Sequence, residues 1–241
     1  MTLLHKKRNQ VKIVSVMLVL TSFFLLLTSF RKELTADELL KKVKAKMDKV
    51  NDYVATGKMK TDVVFIKAPI ANIKSYYKKP NRFAIKRDGG VSLLPKGGVS
   101  VNVSSLLLTD EYTAIDAGKT TLGTTPVRIV KLLPISDKSD VVLTTMYIDE
   151  ANFLIRKAST TTKENGTYDM EMQFGKYADW GLPDKVLFSF NTKDYKLPKG
   201  ITLEYDDGSK RPDLPKNKKG KVEITYSAYM INKGVTDAML K

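Results

Sequence analysis

Histidine occurs once in this chain, at His5, and cysteine does not occur at all. His5 lies in a basic leader, so an imidazole base, a thiol nucleophile and a thiolate or imidazole metal site are all excluded from the body of the protein. The remaining candidates are carboxylate pairs at Asp137/Asp140, Asp149/Glu150 and Asp206/Asp207. Each pair falls in a predicted turn, where Asp is favoured because its side chain accepts bonds from its own nearby backbone, and that outweighs a metal or acid–base role. Neither a Gly-x-Ser-x-Gly elbow nor a glycine-rich phosphate loop between strand and helix is present. Trp180, the single tryptophan, reads as a core plug. These residue types predict a binding protein rather than an enzyme, with no cofactor and no metal.

What the chain does offer is aromatic and aliphatic residues in alternation, broken by a distinctive corner. In Ser75-Tyr76-Tyr77-Lys78-Lys79-Pro80-Asn81-Arg82-Phe83, two aromatics lead out of a strand, a dibasic step meets a proline, and Phe83 reopens the alternation in Phe83-Ala84-Ile85-Lys86. Pro80 holds φ near about −65° and drives Lys79 into extended geometry, so two strands are predicted to meet here with basic side chains facing solvent. Tyr77 and Phe83 fit either a hairpin core or a binding surface.

The elements that position these residues begin with a helix predicted over Ala36 to Val50. Thr35-Ala36-Asp37-Glu38 is a capping box, Leu34 can staple onto Leu39, and Leu39, Val43, Met47 and Val50 form one apolar stripe. Lys41, Lys42, Lys44, Lys46 and Lys49 occupy the other face. From Tyr53 onward the period is two. Strands are expected at Tyr53–Ile66, Pro69–Lys78, Arg82–Arg87, Val99–Val103, Glu111–Asp116, Val127–Leu133, Val141–Asp149, Leu154–Thr162, Thr167–Phe174, Val186–Phe190, Ile201–Tyr205 and Val222–Tyr229. Turns are expected at Asn165-Gly166, Asp149 to Asn152 and Asp116 to Gly118, and a flap at Gly89 to Ser105. So many strands against one helix predict a mainly β (α+β) fold: a curved, incomplete antiparallel β-barrel of about 11–12 strands, with the helix across its open side.

Residues 1–30 are expected to be a targeting segment. His5, Lys6, Lys7, Arg8 and Lys12 precede an apolar run from Ile13 to Phe30, which fits a cleaved signal peptide or an uncleaved membrane anchor. No Ala-x-Ala-like site follows, the best cut after Ser29 placing Leu27 at the −3 position. Residues 31–241 are then one exported domain. Without Lys6, Lys7, Arg8 and Lys12, 37 basic residues face 26 acidic ones, a balance of +11 that suits anionic headgroups better than nucleic acid in an exported protein.

The corner, the capped helix, Thr125-Pro126-Val127-Arg128-Ile129, and Val186-Leu187-Phe188-Ser189-Phe190 leading to Leu197-Pro198-Lys199-Gly200-Ile201 resemble, in their order, the periplasmic outer-membrane lipoprotein carriers of the LolA-like family. The resemblance covers roughly Thr35 to Asp207. It implies a periplasmic carrier that shelters lipid or the acyl chains of lipoproteins in a hydrophobic cavity and delivers them towards the outer membrane as a monomer. Such a carrier would take its cargo from an inner-membrane donor complex and pass it to an outer-membrane acceptor. The family's basic residue before the corner proline, commonly Arg, is Lys79 here, which lacks the bidentate fork. The expected lipid- or cargo-binding residues are Tyr77, Lys79, Phe83, Ile85, Val101, Val103, Ile129, Tyr147, Met170, Met172, Phe174, Phe188 and Phe190. An anchored envelope sensor or interaction module of the same fold, binding a protein or lipid ligand without transporting it, fits the same residues.

Overall fold

The structure is a computed structural model, described for residues 33–62, 70–80, 82–87, 112–164, 166–191 and 219–240. Helix α1 spans Ala36–Met47. The capping box forms as expected: Thr35 Oγ1 accepts the Glu38 amide at 3.2 Å, and Glu38 Oε2 accepts the Thr35 amide at 2.8 Å. Leu39, Leu40 and Val43 are buried along one stripe, each worth about 1.5–3 kcal/mol of burial. The helix stops earlier than predicted, because Asp48 and Lys49 turn the chain, yet Val50 still buries.

Ten strands follow: β1 Asp52–Asp62, β2 Ala71–Lys78, β3 Arg82–Arg87, β4 Tyr112–Leu122, β5 Thr125–Pro134, β6 Val141–Asp149, β7 Leu154–Thr162, β8 Gly166–Gln173, β9 Lys185–Asn191 and β10 Lys219–Ile231. They form one antiparallel sheet in the order β3-β2-β1-β10-β9-β8-β7-β6-β5-β4, with β3 and β4 at its ends, so it is open rather than a closed barrel. The expected strands Val99–Val103 and Ile201–Tyr205, and the flap, lie outside the described residues. Asp116 to Gly118 is not the expected turn. The register shifts there between Asp116 and Lys119, Gly118 takes φ 88°, and β4 runs on to a turn at Gly123.

Two meanders, β1 to β3 and β4 to β9, are joined by β10, which pairs with β1 on one side and β9 on the other. The C-terminal segment is thus the central seam of the sheet. Gly57 marks a register shift in that seam, where an added Cβ would lie 2.4 Å from the Thr225 carbonyl oxygen. One face of the sheet is buried, through Tyr53, Ala55 and Met59 on β1, Ile73, Ser75 and Tyr77 on β2, Val130 and Leu132 on β5, and Met146 and Ile148 on β6. We call this the inner face.

Candidate functional site

The middle of the inner face is made of methionine and phenylalanine. Register places Met170 of β8 opposite Phe188 of β9, Met172 opposite Val186, and Tyr168 opposite Phe190. Phe188 lies 5.4 Å from both the Tyr168 and the Phe190 ring, measured between centroids. Gly220 of β10 leaves the room that Phe190 occupies, since a Cβ there would come within 2.6 Å of the ring. Met170, Met172, Phe188 and Phe190 are all buried. Flexible thioethers beside aromatic rings make a surface that can adapt to apolar chains of differing shape. Further along the face a pair of buried hydroxyls, Thr144 and Thr160, bond to each other at 3.1 Å.

Towards β1 and β2 the face becomes tyrosine-rich. Tyr53, Tyr77, Tyr177, Tyr226 and Tyr229 form a chain of rings with centroids 4.9–5.3 Å apart. Tyr229 donates its hydroxyl to the Pro183 carbonyl at 2.7 Å and Tyr77 to the Pro80 carbonyl at 3.3 Å, while the Tyr177 oxygen accepts the Tyr229 amide at 3.3 Å. Burial pushes the Tyr226 phenol up to about 12, against an easing contribution from the neighbouring Ser75 hydroxyl, and holds Tyr53 and Tyr229 well above their ordinary value.

Of the residues expected to bind cargo, the inner face gathers Tyr77, Ile85, Met170, Met172, Phe188 and Phe190, with Phe83 partly buried opposite Tyr77. Phe174 lies one residue past β8, with the Arg156 guanidinium 5.4 Å from its ring centroid. Ile129 and Tyr147 are not in this group. They pair with each other on the opposite face, because Arg128, Val130 and Met146 take the inward positions. Val101 and Val103 lie outside the described residues.

The corner also differs from the solvent-facing one expected. Lys79 turns back onto the end of α1, donating to the Asp48 carbonyl at 2.6 Å with the Asp48 carboxylate at 3.3 Å. Lys78 and Arg82 both pair with Asp237 near the C-terminus. The Lys79–Pro80 peptide is cis. Trp180 is 38% exposed in a 3-10 turn, Ala178–Trp180, rather than plugging the core.

Sequence reading missed two charged centres. Arg128, with only 6% of its side chain exposed, faces inward and pairs with Asp116 and Glu150. Its hydrogen bond, followed by the Gly118 amide, holds Asp116 below the usual carboxylate range. Asp149 accepts the Ala151 and Asn152 amides and the Arg156 guanidinium, which together outweigh the burial that opposes its ionisation. Both Asp149 and Glu150 are therefore structural. Among the described residues no group of three His, Cys, Asp or Glu side chains could hold a metal ion, and no helix is long and apolar enough to cross a membrane.

No protein-family model and no curated protein matches the chain. Solved structures do. A LolA superfamily protein from Nitrosomonas europaea aligns with a TM-score of 0.54 at 10% identity, over 87% of this chain and 98% of that one. An outer membrane lipoprotein-sorting protein domain from Vibrio parahaemolyticus aligns with a TM-score of 0.51 at 11% identity, over 84% and 94%. A DUF1329 family protein from Desulfovibrio piger gives 0.51 at 10% identity, over 86% and 98%. At such identities the likeness is one of fold alone: the open ten-stranded sheet with its leading helix is similar in fold to these three structures.

Proposed function

We propose that the protein is an exported lipid or lipoprotein carrier that holds acyl chains against the inner face of its sheet. One observation carries the reading. Met170 and Met172 of β8 stand opposite Phe188 and Val186 of β9, with Phe190 beside them, so flexible thioethers and aromatic rings are gathered on one stretch of the inner face.

The energetics set what such a surface must do. Burying a long acyl chain offers on the order of 12 kcal/mol, at about 0.8 kcal/mol per methylene. Several chains held fully would reach the practical ceiling of roughly 18–21 kcal/mol, and a carrier must also release its load. An adaptable Met- and Phe-rich face suits that compromise. The proposed carrier works in the periplasm as a monomer, takes cargo from an inner-membrane donor, and passes it to an outer-membrane acceptor without catalysis.

Native mass spectrometry of the domain purified from membranes in mild detergent tests this. Co-purified lipid or acylated lipoprotein is the expected result, and a clean apo mass with no uptake of lipid analogues would overturn it. The length of the Ile13 to Phe30 run favours a second reading, a tethered sensor of the same fold. N-terminal sequencing separates the two: a start between Phe30 and Glu33 supports the diffusing carrier, an intact Met1 the sensor.

A further inference from the structure

Among the described residues, two buried side-chain polar atoms stand without a hydrogen-bond partner, Ser75 Oγ and Arg87 Nε. They are neighbours. Register pairs Ser75 with Ile85 and Ile73 with Arg87, so Ser75 and Arg87 are diagonal partners on the inner face of adjacent strands. Such residues lie about 7–8 Å apart at Cα, within reach of a long side chain. Tyr226 is the third member. It pairs with Gly57, and Gly57 with Ile73, so a residue without a side chain separates Tyr226 from β2, and the Ser75 hydroxyl is near enough to ease the burial that raises the Tyr226 phenol.

The surroundings are apolar: Ala55, Met59, Ile73 and Ile85 are all buried. A guanidinium carries five donors, accepts nothing and keeps its charge. The other described arginines each have a carboxylate, Arg82 with Asp237, Arg128 with Asp116 and Glu150, and Arg156 with Asp149. Arg87 has none among the described residues. An unpaired cation with a buried nitrogen on an apolar face costs free energy that an anion would offset.

We propose that Arg87, with the Ser75 and Tyr226 hydroxyls, is the subsite for the anionic headgroup of an amphiphile, a phosphate or a carboxylate, whose acyl chains lie further along the inner face. This rests on the carrier reading and adds a headgroup preference to it. A guanidinium suits both groups, since its fork matches either bidentately.

The test uses the exported domain and three fluorescently displaced ligands of matched chain: phosphatidylglycerol, oleate and uncharged diacylglycerol. The wild type is expected to bind at least one acidic ligand about tenfold or more tighter than diacylglycerol, as a charge-assisted contact implies. Preference for phosphatidylglycerol alone identifies a phosphate site, and preference for oleate alone a carboxylate site. Arg87→Met should collapse the ratio towards one, and Ser75→Ala should narrow it. The apo Arg87→Met protein should melt no lower than wild type, because the group removed is unsatisfied. A lowered melting temperature, equal binding of all three ligands, or a ratio that survives Arg87→Met would each overturn the subsite. Diacylglycerol binding without acidic preference overturns the subsite alone, whereas failure of every ligand to bind overturns the carrier reading as well.

Discussion

Two regions of the sheet, the one towards its β3 end and the one towards its β4 end, hold themselves together by different means. Around β1, β2 and β10, the tyrosine chain satisfies its polar atoms with neutral hydroxyls bonded to backbone groups at Pro80, Pro183 and Tyr229. Around β4, β5 and β6, a buried arginine meets two carboxylates at a strand bulge, and Asp149 meets Arg156 beside it. A hydroxyl that stays neutral needs only a carbonyl, whereas an inward guanidinium must have its counter-charges in place. Stability at the first end should follow packing, and at the second it should follow pH and ionic strength.

The sharpest break is Tyr229→Ala. It removes a buried ring in contact with Tyr53, Tyr177 and Tyr226 and should cost about 3–5 kcal/mol, read by urea denaturation, while Tyr229→Phe, losing only the bond to Pro183, should cost about 1 kcal/mol. Arg128→Met comes next. Asp116 and Glu150 keep 43% and 30% side-chain exposure and can rehydrate, so a loss of about 2 kcal/mol is expected, smaller in high salt. If Arg128→Met proves as costly as Tyr229→Ala, the contrast between the ends fails.

The ends should also part company with pH. Asp116 and Asp149 are held below their ordinary values, so their contribution is present above the unfolded carboxylate pKa of about 3.9 and is lost as pH falls through the lower folded values. Tyr226 is raised to about 12, so its contribution is present below about 10 and is lost as pH rises from there through about 12. Hydrogen exchange should therefore show β4 to β6 opening first in acid and β1, β2 and β10 opening first in alkali. Asp48 and Asp237 are also lowered, but they sit in exposed pairs at the corner, where such pairs contribute little.

Local signals in the sequence were the reliable ones. The capping box at Thr35 and Glu38 forms as written, and β3, β6 and β7 occupy the predicted spans. Met170 and Phe188 share a face because period two survives through β8 and β9. The reading failed where a charge turns inward. In Val127-Arg128-Ile129-Val130, an arginine assumed to face water puts Ile129 inside, whereas Arg128 faces in because Asp116 and Glu150, 12 and 22 residues away, meet it. In Met146-Tyr147-Ile148 every residue is apolar enough for either face, so alternation alone cannot place Tyr147 outside. Long-range pairing hid two more features, the central position of β10 and the closure of Lys79 onto Asp48 across 31 residues.

That closure gives the smallest expected effect. Lys79 meets Asp48, the C-cap of α1, at both its carbonyl and its carboxylate, where a cation opposes the negative end of the helix dipole. The side chain keeps 32% exposure and its partner 44%, so solvent screens the attraction and Lys79→Leu should cost about 0.5–1 kcal/mol. For a domain of this size that lowers the melting temperature by about 1–4 °C. Lys79→Arg keeps the charge and should recover most of it, while Pro80→Ala should destabilise through backbone freedom without any salt dependence. Thermal melts of the three variants at low and high salt separate the cases. A Lys79→Leu protein that melts like the wild type at low salt would show that the contact with Asp48 adds nothing, and would leave the corner's basic residue without a structural role.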